Sequence, residues 1–479
     1  MADAVPGSFR DPRGYLFRRD DVLYRHVDAS AAADFDLFES SGLRASLHDA
    51  GLLIPHEEDP ALAAERGAAR VLRPEVVPFI SYPYEWSFSQ LRDAALLTLR
   101  LQSTAMDHGM SLRDASAYNI QFHRGRPLLI DTLSFERLPE GTPWVAYRQF
   151  CQHFLAPLAL MSYRDVRLGL LLRDHLDGVP LDLAASLLPR RAQARPPLQL
   201  HLFLHAKSQR RHAADGASGV ARAGGANGVG GAKGLGGAKG ETPRRGFGLQ
   251  AFRGLLDSLR KGVEGLGAPE AVGAWADYES EATHYGQAAR RRKEEVVAAW
   301  IGRAAPSSVW DLGANVGRFS RMASRNGIDT IAFDLDAAAV DRNYAAARDE
   351  GDEHLLPLVM DLTNPSPGLG WDGRERASLA DRGPADLGLA LALVHHLAIG
   401  NNVPLPMVMR TFAGLARRAV VEFVPKDDEK VRTLLATRED VFPGYTAEGF
   451  EAAAGDVFEV EAREDLPDSG RALYLLRSR

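Results

Sequence analysis

Three carboxylates close three successive apolar runs in the second half of this 479-residue chain. Asp311 ends "SSVWD" and leads into "LGANVGRFS", Asp334 ends "TIAFD", and Asp361 follows "LLPLVM". Gly313 and Gly317 give the first turn a backbone that can bend tightly and approach a ligand where a Cβ would clash. Twenty-one residues separate Gly313 from Asp334, the distance at which an acid at the next strand end meets the hydroxyl pair of a ribose. Asp361 then falls beside the position of an adenine ring. Carboxylates at three consecutive strand ends specify a nucleoside site far better than a glycine pattern alone.

The turn also discriminates between nucleoside cofactors. A dinucleotide carries a pyrophosphate, which calls for G-x-G-x-x-G and bare amides facing the anion at a helix N-terminus. Here Asn315 stands at the middle glycine position, Arg318 follows Gly317, and Asp311 precedes the turn. A carboxylate there repels phosphate and suits an ammonium and a sulfonium, so the expected cofactor is S-adenosyl-L-methionine rather than NAD. "LVHHL" places His395 and His396 at the end of the fourth apolar run, where a methyl acceptor arrives. Either imidazole can take the proton of an acceptor hydroxyl; the alternative is that both satisfy backbone groups of the loop leading to "GNNVPLP". Glu422, closing the fifth run, is a candidate to orient that base or the acceptor. Asp336 and Asp341 read as helix-capping or solvated acids.

A second set of polar residues lies in "SLRDASAYNIQFHRGRPLLIDTLSFE", where Asp114, Asn119 five positions on and Asp131 twelve beyond form a candidate phosphate and metal site. The stretch before it, from Ser87-x-x-Gln90 to Gly109, has a capping box, helical spacing and a glycine stop. "NIQF" and "PLLID" read as short strands joined by "HRGR".

These elements divide the chain. Residues 1–212 form an α+β domain, residues 213–248 a Gly/Ala-rich flexible linker with an imperfect GGAKGLGGAKG duplication, and residues 249–479 an α/β domain. The linker is expected to tether the halves without a fixed interface. In the last domain short unalternated apolar runs separated by helical patterns predict parallel strands covered on both faces, and "VFEVEAR" with "RALYLLR" predicts an antiparallel hairpin at the edge. Trp275, Tyr278 and Tyr285 mark an amphipathic stretch that is either core packing or a lid over the cofactor.

"VWDLGANVGRFS", "AFDLD", "VMDL" and "LALALVHHLAIGNNVPL" together resemble a class I S-adenosylmethionine-dependent methyltransferase, and the last, with "VVEFVPKDD", resembles bacterial nodulation-type methyltransferases. The resemblance covers about residues 270–479. It implies a Rossmann-like seven-stranded sheet with cofactor over its C-terminal strand edge, Asp311, Gly313 and Gly317 lining the methionine moiety, Asp334 on the ribose and Asp361 facing the adenine amine. Asn315 departs from the commoner G-x-G core. The order helix, Asp114, Asn119, hairpin, Asp131 resembles the catalytic loop and metal-binding strand of protein kinases. It departs from them in having no lysine in residues 1–206, no Gly-rich loop before Asp114, Leu112 for the loop histidine and "DTL" for D-F-G. The expectation is a degenerate kinase-like lobe that holds the acceptor or a protein partner, with no metal or at most a remnant site.

Composition sets the outer limits. The chain is 45% apolar and 25% charged, with net charge -6 and pI near 6.2, which gives no broad positive field for nucleic acid. The single cysteine, Cys151, excludes an intramolecular disulfide. No signal-peptide pattern opens the sequence and no run approaches the length of a membrane span, so a cytoplasmic enzyme acting on a small-molecule or glycan-like hydroxyl is expected. A bifunctional kinase-methyltransferase and a non-enzymatic cofactor-binding scaffold are the alternatives.

Overall fold

The computed structural model describes residues 4–205, 207, 248–269, 286–436 and 438–479. The linker at 213–247 and the aromatic stripe of Trp275, Tyr278 and Tyr285 lie outside the described residues.

The amino-terminal half opens with a four-stranded antiparallel sheet of β1 (Gly14–Arg19), β2 (Val22–Val27), β3 (His56–Glu58) and β4 (Arg70–Pro74), in the order β1-β2-β4-β3. The helix Phe88–Asp107 follows, started by the expected capping box: Ser87 Oγ accepts from the Gln90 N–H while the Gln90 carboxamide accepts from the Ser87 N–H. Two small antiparallel pairs come next, β5 (Met110–Leu112) with β8 (Phe135–Arg137) and β6 (Ile120–His123) with β7 (Arg126–Leu129). Arg124 and Gly125, at φ 50° and 71°, form the tight turn of the second pair, because two successive positive φ values match the twist of the flanking strands.

The carboxyl-terminal sheet has seven strands: β9 (Ser308–Leu312), β10 (Asp329–Asp334), β11 (Leu355–Val359), β12 (Ala385–Ala390), β13 (Ala416–Phe423), β14 (Phe458–Asp465) and β15 (Ala472–Ser478). Their order is β11-β10-β9-β12-β13-β15-β14, with β15 the antiparallel strand between β13 and β14. The apolar runs do not alternate because both faces are covered. Val309, Leu387, Leu389, Val420 and Leu473 pack with the helix Gln287–Ala304 on one side. Trp310, Phe333, Val421 and Tyr474 belong to the core on the other side.

On that second face one crossover differs from its neighbours. Between β11 and β12 the chain makes only the short turns Trp371–Gly373 and Ala380–Arg382, with no α-helix to lie over β9, β10 and β11. The amino-terminal half covers the strands instead. Phe79 sets its ring edge-on to Trp310 and Phe333, with centroids 5.5 and 5.9 Å apart, and Gln90 Nε2 donates to the Pro357 carbonyl on β11 at 2.9 Å. Asp93 accepts from Tyr344 Oη at 2.8 Å. Arg382 donates to Glu85, which also accepts from Ser366 Oγ at 2.6 Å. The expectation of halves joined without a fixed interface is therefore corrected: they share one core.

The helix Leu249–Glu264, grouped with the carboxyl-terminal domain by its place after the linker, packs on the amino-terminal half. Phe252, Leu256, Leu259 and Val263 bury its apolar stripe, Arg253 pairs with Asp107 at 2.9 Å, and Ser258 Oγ bonds the His201 ring at 2.9 Å.

Candidate functional site

The loop that leaves β9 supplies the site's backbone. Gly313 and Gly317 have φ 81° and 80°, and Asn315 between them also has positive φ, 50°. A Cβ on Gly317 would overlap the Asn343 carboxamide, and one on Gly313 would press on Leu393 at 3.3 Å. Both positions favour glycine by conformation, and Gly317 is required by space as well. The Leu393 contact also ties this loop to the segment that carries the histidine pair.

Asp311, at 2% exposure, accepts from Ser320 Oγ at 2.6 Å. Burial pushes its carboxyl up to about 6, against the Ser320 bond and the Lys293 charge that pull it down. A carboxylate in this state gains from a cationic ligand that offsets its desolvation. Asp334 ends β10 and accepts from the N–H groups of Asn315 at 2.7 Å and Asp336 at 2.8 Å. Its pKa is raised, chiefly by burial. The acid at the second strand end is thus fastened to the glycine loop of the first, with one carboxylate oxygen on each amide. Asp361 accepts from the Thr363 N–H at 2.8 Å and Oγ at 2.6 Å in the turn after β11. Between Asp334 and Asp336 the side chain of Leu335 stands 63% exposed, an apolar surface at the strand edge that sequence reasoning passed over.

The remaining acids sort themselves. Asp336 caps the helix Ala337–Glu350, accepting from the Ala338 N–H at 2.9 Å. Asp341 does not cap its own helix but another: it accepts from Ser89 N–H and Oγ at 2.8 and 2.9 Å, so a carboxylate of one half meets the first turn of the long helix of the other.

His395 and His396 follow β12, their ring centroids 4.2 Å apart. His395 is fully buried and, among the described residues, neither ring nitrogen has a hydrogen-bond partner. Burial holds both imidazoles below the usual histidine range. Glu422, expected to orient the base or the acceptor, lies fully buried between two cations: Lys293 Nζ at 2.6 Å and Arg471 Nη1 at 3.2 Å. Arg471 Nε continues to Asp428 at 2.7 Å. Lys293 and Arg471 carried no sequence signal. Lys293 sits in a basic run that reads as a solvated helix start, and Arg471 reaches Glu422 because β15 pairs with β13.

In the amino-terminal half the three candidate residues come together. Asp114 accepts from the Ser116 N–H at 2.9 Å and Gln149 Nε2 at 2.7 Å, and burial raises its pKa, with the nearby Asp131 charge acting in the same direction. Asn119 Nδ2 donates to Ser134 Oγ at 3.3 Å. Asp131 accepts from Ser134 Oγ and from Arg25 Nη1, the latter at 2.5 Å from strand β2. Burial would push its carboxyl up, but the Arg25 charge and the Ser134 bond hold it below the ordinary value. An internal guanidinium thus stands on the carboxylate that a metal would need. Among the described residues no group of three or more His, Cys, Asp or Glu side chains is placed to hold a metal ion.

The strand order, the glycine turn and the acids at successive strand ends define a methyltransferase-like α/β fold. No family model matches the sequence. The nodulation protein NoeA of Rhizobium meliloti (strain 1021) is 36% identical over 477 residues, covering 98% of this chain and 95% of that protein, and the chain belongs to the family of this nodulation protein. Two solved structures are similar to part of it. Magnesium protoporphyrin IX methyltransferase (ChlM) from Synechocystis PCC 6803 with bound SAH is 20% identical, with 40% of this chain and 84% of that chain covered and a TM-score of 0.29. The N-methyltransferase NodS from Bradyrhizobium japonicum WM9 is 12% identical, with 40% and 97% covered and a TM-score of 0.30.

Proposed function

We propose that this protein is an S-adenosylmethionine-dependent methyltransferase acting at a hydroxyl of a small-molecule or glycan-like acceptor. The observation that carries the reading is the juxtaposition of the buried Asp311, the Gly313–Gly317 turn and Asp334 bonded to that turn. The donor set fits the cofactor. Asp311 suits its ammonium, the remaining lone pairs of Asp334 suit ribose hydroxyls, and the exposed Leu335 offers apolar surface to the adenine. Asp361, in the turn after β11, would face the adenine amine. When bound, the cofactor supplies the methyl group as a sulfonium. The chain's own part is to hold it, exclude water and receive the acceptor's proton at His395, whose ring nitrogens have no partner among the described residues; His396 packs beside it.

The division of labour we propose gives residues 1–212, as a kinase-like lobe, the task of holding the acceptor or a protein partner without turning over ATP. Arg25 on Asp131 supports this reading, since phosphoryl transfer depends on metal and phosphate positioning. No described helix is long and apolar enough to cross a membrane, and we place the enzyme in the cytoplasm.

Calorimetry on the intact chain tests the assignment. S-adenosylmethionine and its demethylated product are expected to bind and NAD is not; Asp334→Ala is expected to weaken both. Undiminished binding by that variant refutes the site, and NAD binding refutes the class. Cofactor binding with no turnover across acceptor pools would instead favour the scaffold reading.

A further inference from the structure

The glycine turn rests on a buried amide from the helix after β10. Asn343, in the second turn of the helix Ala337–Glu350, is 1% exposed, and among the described residues neither its Oδ1 nor its Nδ2 has a hydrogen-bond partner. The carboxamide lies directly against Gly317: a Cβ on that glycine would stand 2.3 Å from Oδ1, 2.5 Å from Nδ2 and 2.6 Å from Cγ. The next turn of the helix is apolar, with Ala347 packing on Ala314 of the glycine turn and on Ala332 and Leu355. Burying both ends of an amide without a bond costs the desolvation of each. An apolar side chain of the same shape would pack there at no such cost, so the amide asks for another role.

The helix and the glycine turn are fastened to each other on both sides of Asn343. On one side Asp334 accepts from the Asn315 and Asp336 N–H groups, and Asp336 begins the helix. On the other, Arg321 donates through Nη1 to the Val316 carbonyl at 2.6 Å and through Nη2 to the Asn343 carbonyl at 3.4 Å. Between these fastenings the Gly317 peptide groups bond their own neighbours: the N–H donates to the Ala314 carbonyl at 2.9 Å, and the carbonyl accepts from the Arg321 N–H at 3.0 Å. A carbonyl with one such bond keeps a second lone pair. The buried amide and this glycine are thus in contact without being bonded.

We propose that Asn343 is a positioning residue of the cofactor site: its carboxamide is reserved for the Gly317 peptide groups and bonds them when S-adenosylmethionine seats the glycine turn. Part of the cofactor's affinity then comes from satisfying a buried amide. The inference rests on the methyl-transfer reading and deepens it by naming a residue that acts through the turn, with no contact to the cofactor itself. Gly317 is the residue that admits the amide, because any Cβ there would stand in its place.

The test compares Asn343→Leu with the unsubstituted, intact protein, using S-adenosylhomocysteine as the probe. Leucine keeps the branched shape and removes both polar groups. Without the probe, its midpoint of thermal unfolding is expected to hold or to rise by up to about 2 °C. Its affinity for the probe, read by calorimetry, is expected to fall about tenfold. A side chain that only fills space predicts an unchanged affinity, and one that only props up the turn predicts a fall in midpoint and affinity together; either result overturns the proposal. A second measurement follows the Asn343 side-chain amide signals of the unsubstituted protein by NMR, assigned through Asn343→Leu or, if that variant does not fold, through Asn343→Ala. They are expected to move downfield as the probe saturates, and signals that stay in place overturn the proposal as well. If the unsubstituted protein does not bind the probe, the methyl-transfer reading fails and this inference falls with it; if it binds and the Asn343 variants bind equally, this inference alone fails.

Discussion

Arg382 donates to Glu85 at 2.5 and 2.9 Å across 297 positions of sequence, with side-chain exposures of 6% and 1%. This pair joins the turn before the long amino-terminal helix to the turn before β12, and Ser366 completes the Glu85 shell. Removing one partner strands a charge in the shared core. Glu85→Ala is expected to destabilise the protein by about 3–5 kcal/mol, measured by denaturant or thermal unfolding. Intact protein should unfold both halves in one transition; two separated transitions with unchanged Glu85→Ala stability would contradict a shared core.

The glycine turn carries the next prediction. Gly317→Ala places a Cβ against Asn343 at φ 80°, a backbone strain costing on the order of 1–3 kcal/mol. Because the loop's Asn315 amide is bonded to Asp334, cofactor affinity is expected to fall with stability. Calorimetry at a temperature where the variant remains folded checks this. Ala at Gly267, where a Cβ would meet nothing, serves as the control.

Asp311 gives two pH dependences of opposite sign. Its carboxyl is raised from 3.8 to about 6 in the folded chain, so between those values the folded state holds a proton that the unfolded state has released. The stability it contributes is fully present below 3.8 and is lost as pH rises through about 6. Affinity for a cationic cofactor runs the other way, growing as the carboxylate ionises over the same window. Asp311→Asn should flatten both slopes, read from chemical denaturation and calorimetry between pH 4 and pH 8. A cofactor affinity that stays constant across that range in the unsubstituted protein would remove Asp311 from the site.

Arg25 makes the amino-terminal carboxylates testable. With its guanidinium on Asp131, saturable magnesium or manganese binding is expected to be absent, and ATP is expected to remain intact in the presence of magnesium. Arg25→Ala frees Asp131 beside Asp114 and Asn119 and should weaken the fold by about 3 kcal/mol or more. A magnesium-dependent ATPase that Asp131→Asn abolishes would make the chain bifunctional.

The parts of this structure that were legible in the sequence are those set by local pattern. Unalternated runs such as "TIAFD" and "LLPLV" had to be buried on both faces, and the Ser87–Gln90 box had to begin a helix. The spacing from Gly313 to Asp334 brought the two together, although the form of their union, carboxylate to backbone amide, is a property of the folded turn. What was not legible is long-range. Glu85 and Arg382 look like any two charged residues until the absent crossover helix brings them together. Glu422 read as a group to orient the base or the acceptor because its two cations arrive from a helix before the sheet and from the start of its last strand. The helix Leu249–Glu264 was assigned by its place after the linker, whereas its apolar stripe is complementary to the helix Phe88–Asp107.

The missing helix between β11 and β12 also sets a timetable for synthesis. Phe79 leaves the ribosome 231 residues before Trp310, the ring it abuts. At about 5–20 residues per second the sheet face arrives roughly 10–50 s later. Through that interval the nascent chain displays an apolar surface whose cover has not yet been made, so a chaperone that shields exposed apolar segments should engage it there. A ribosome halted between codons 213 and 248 should leave the most aggregation-prone form of the protein.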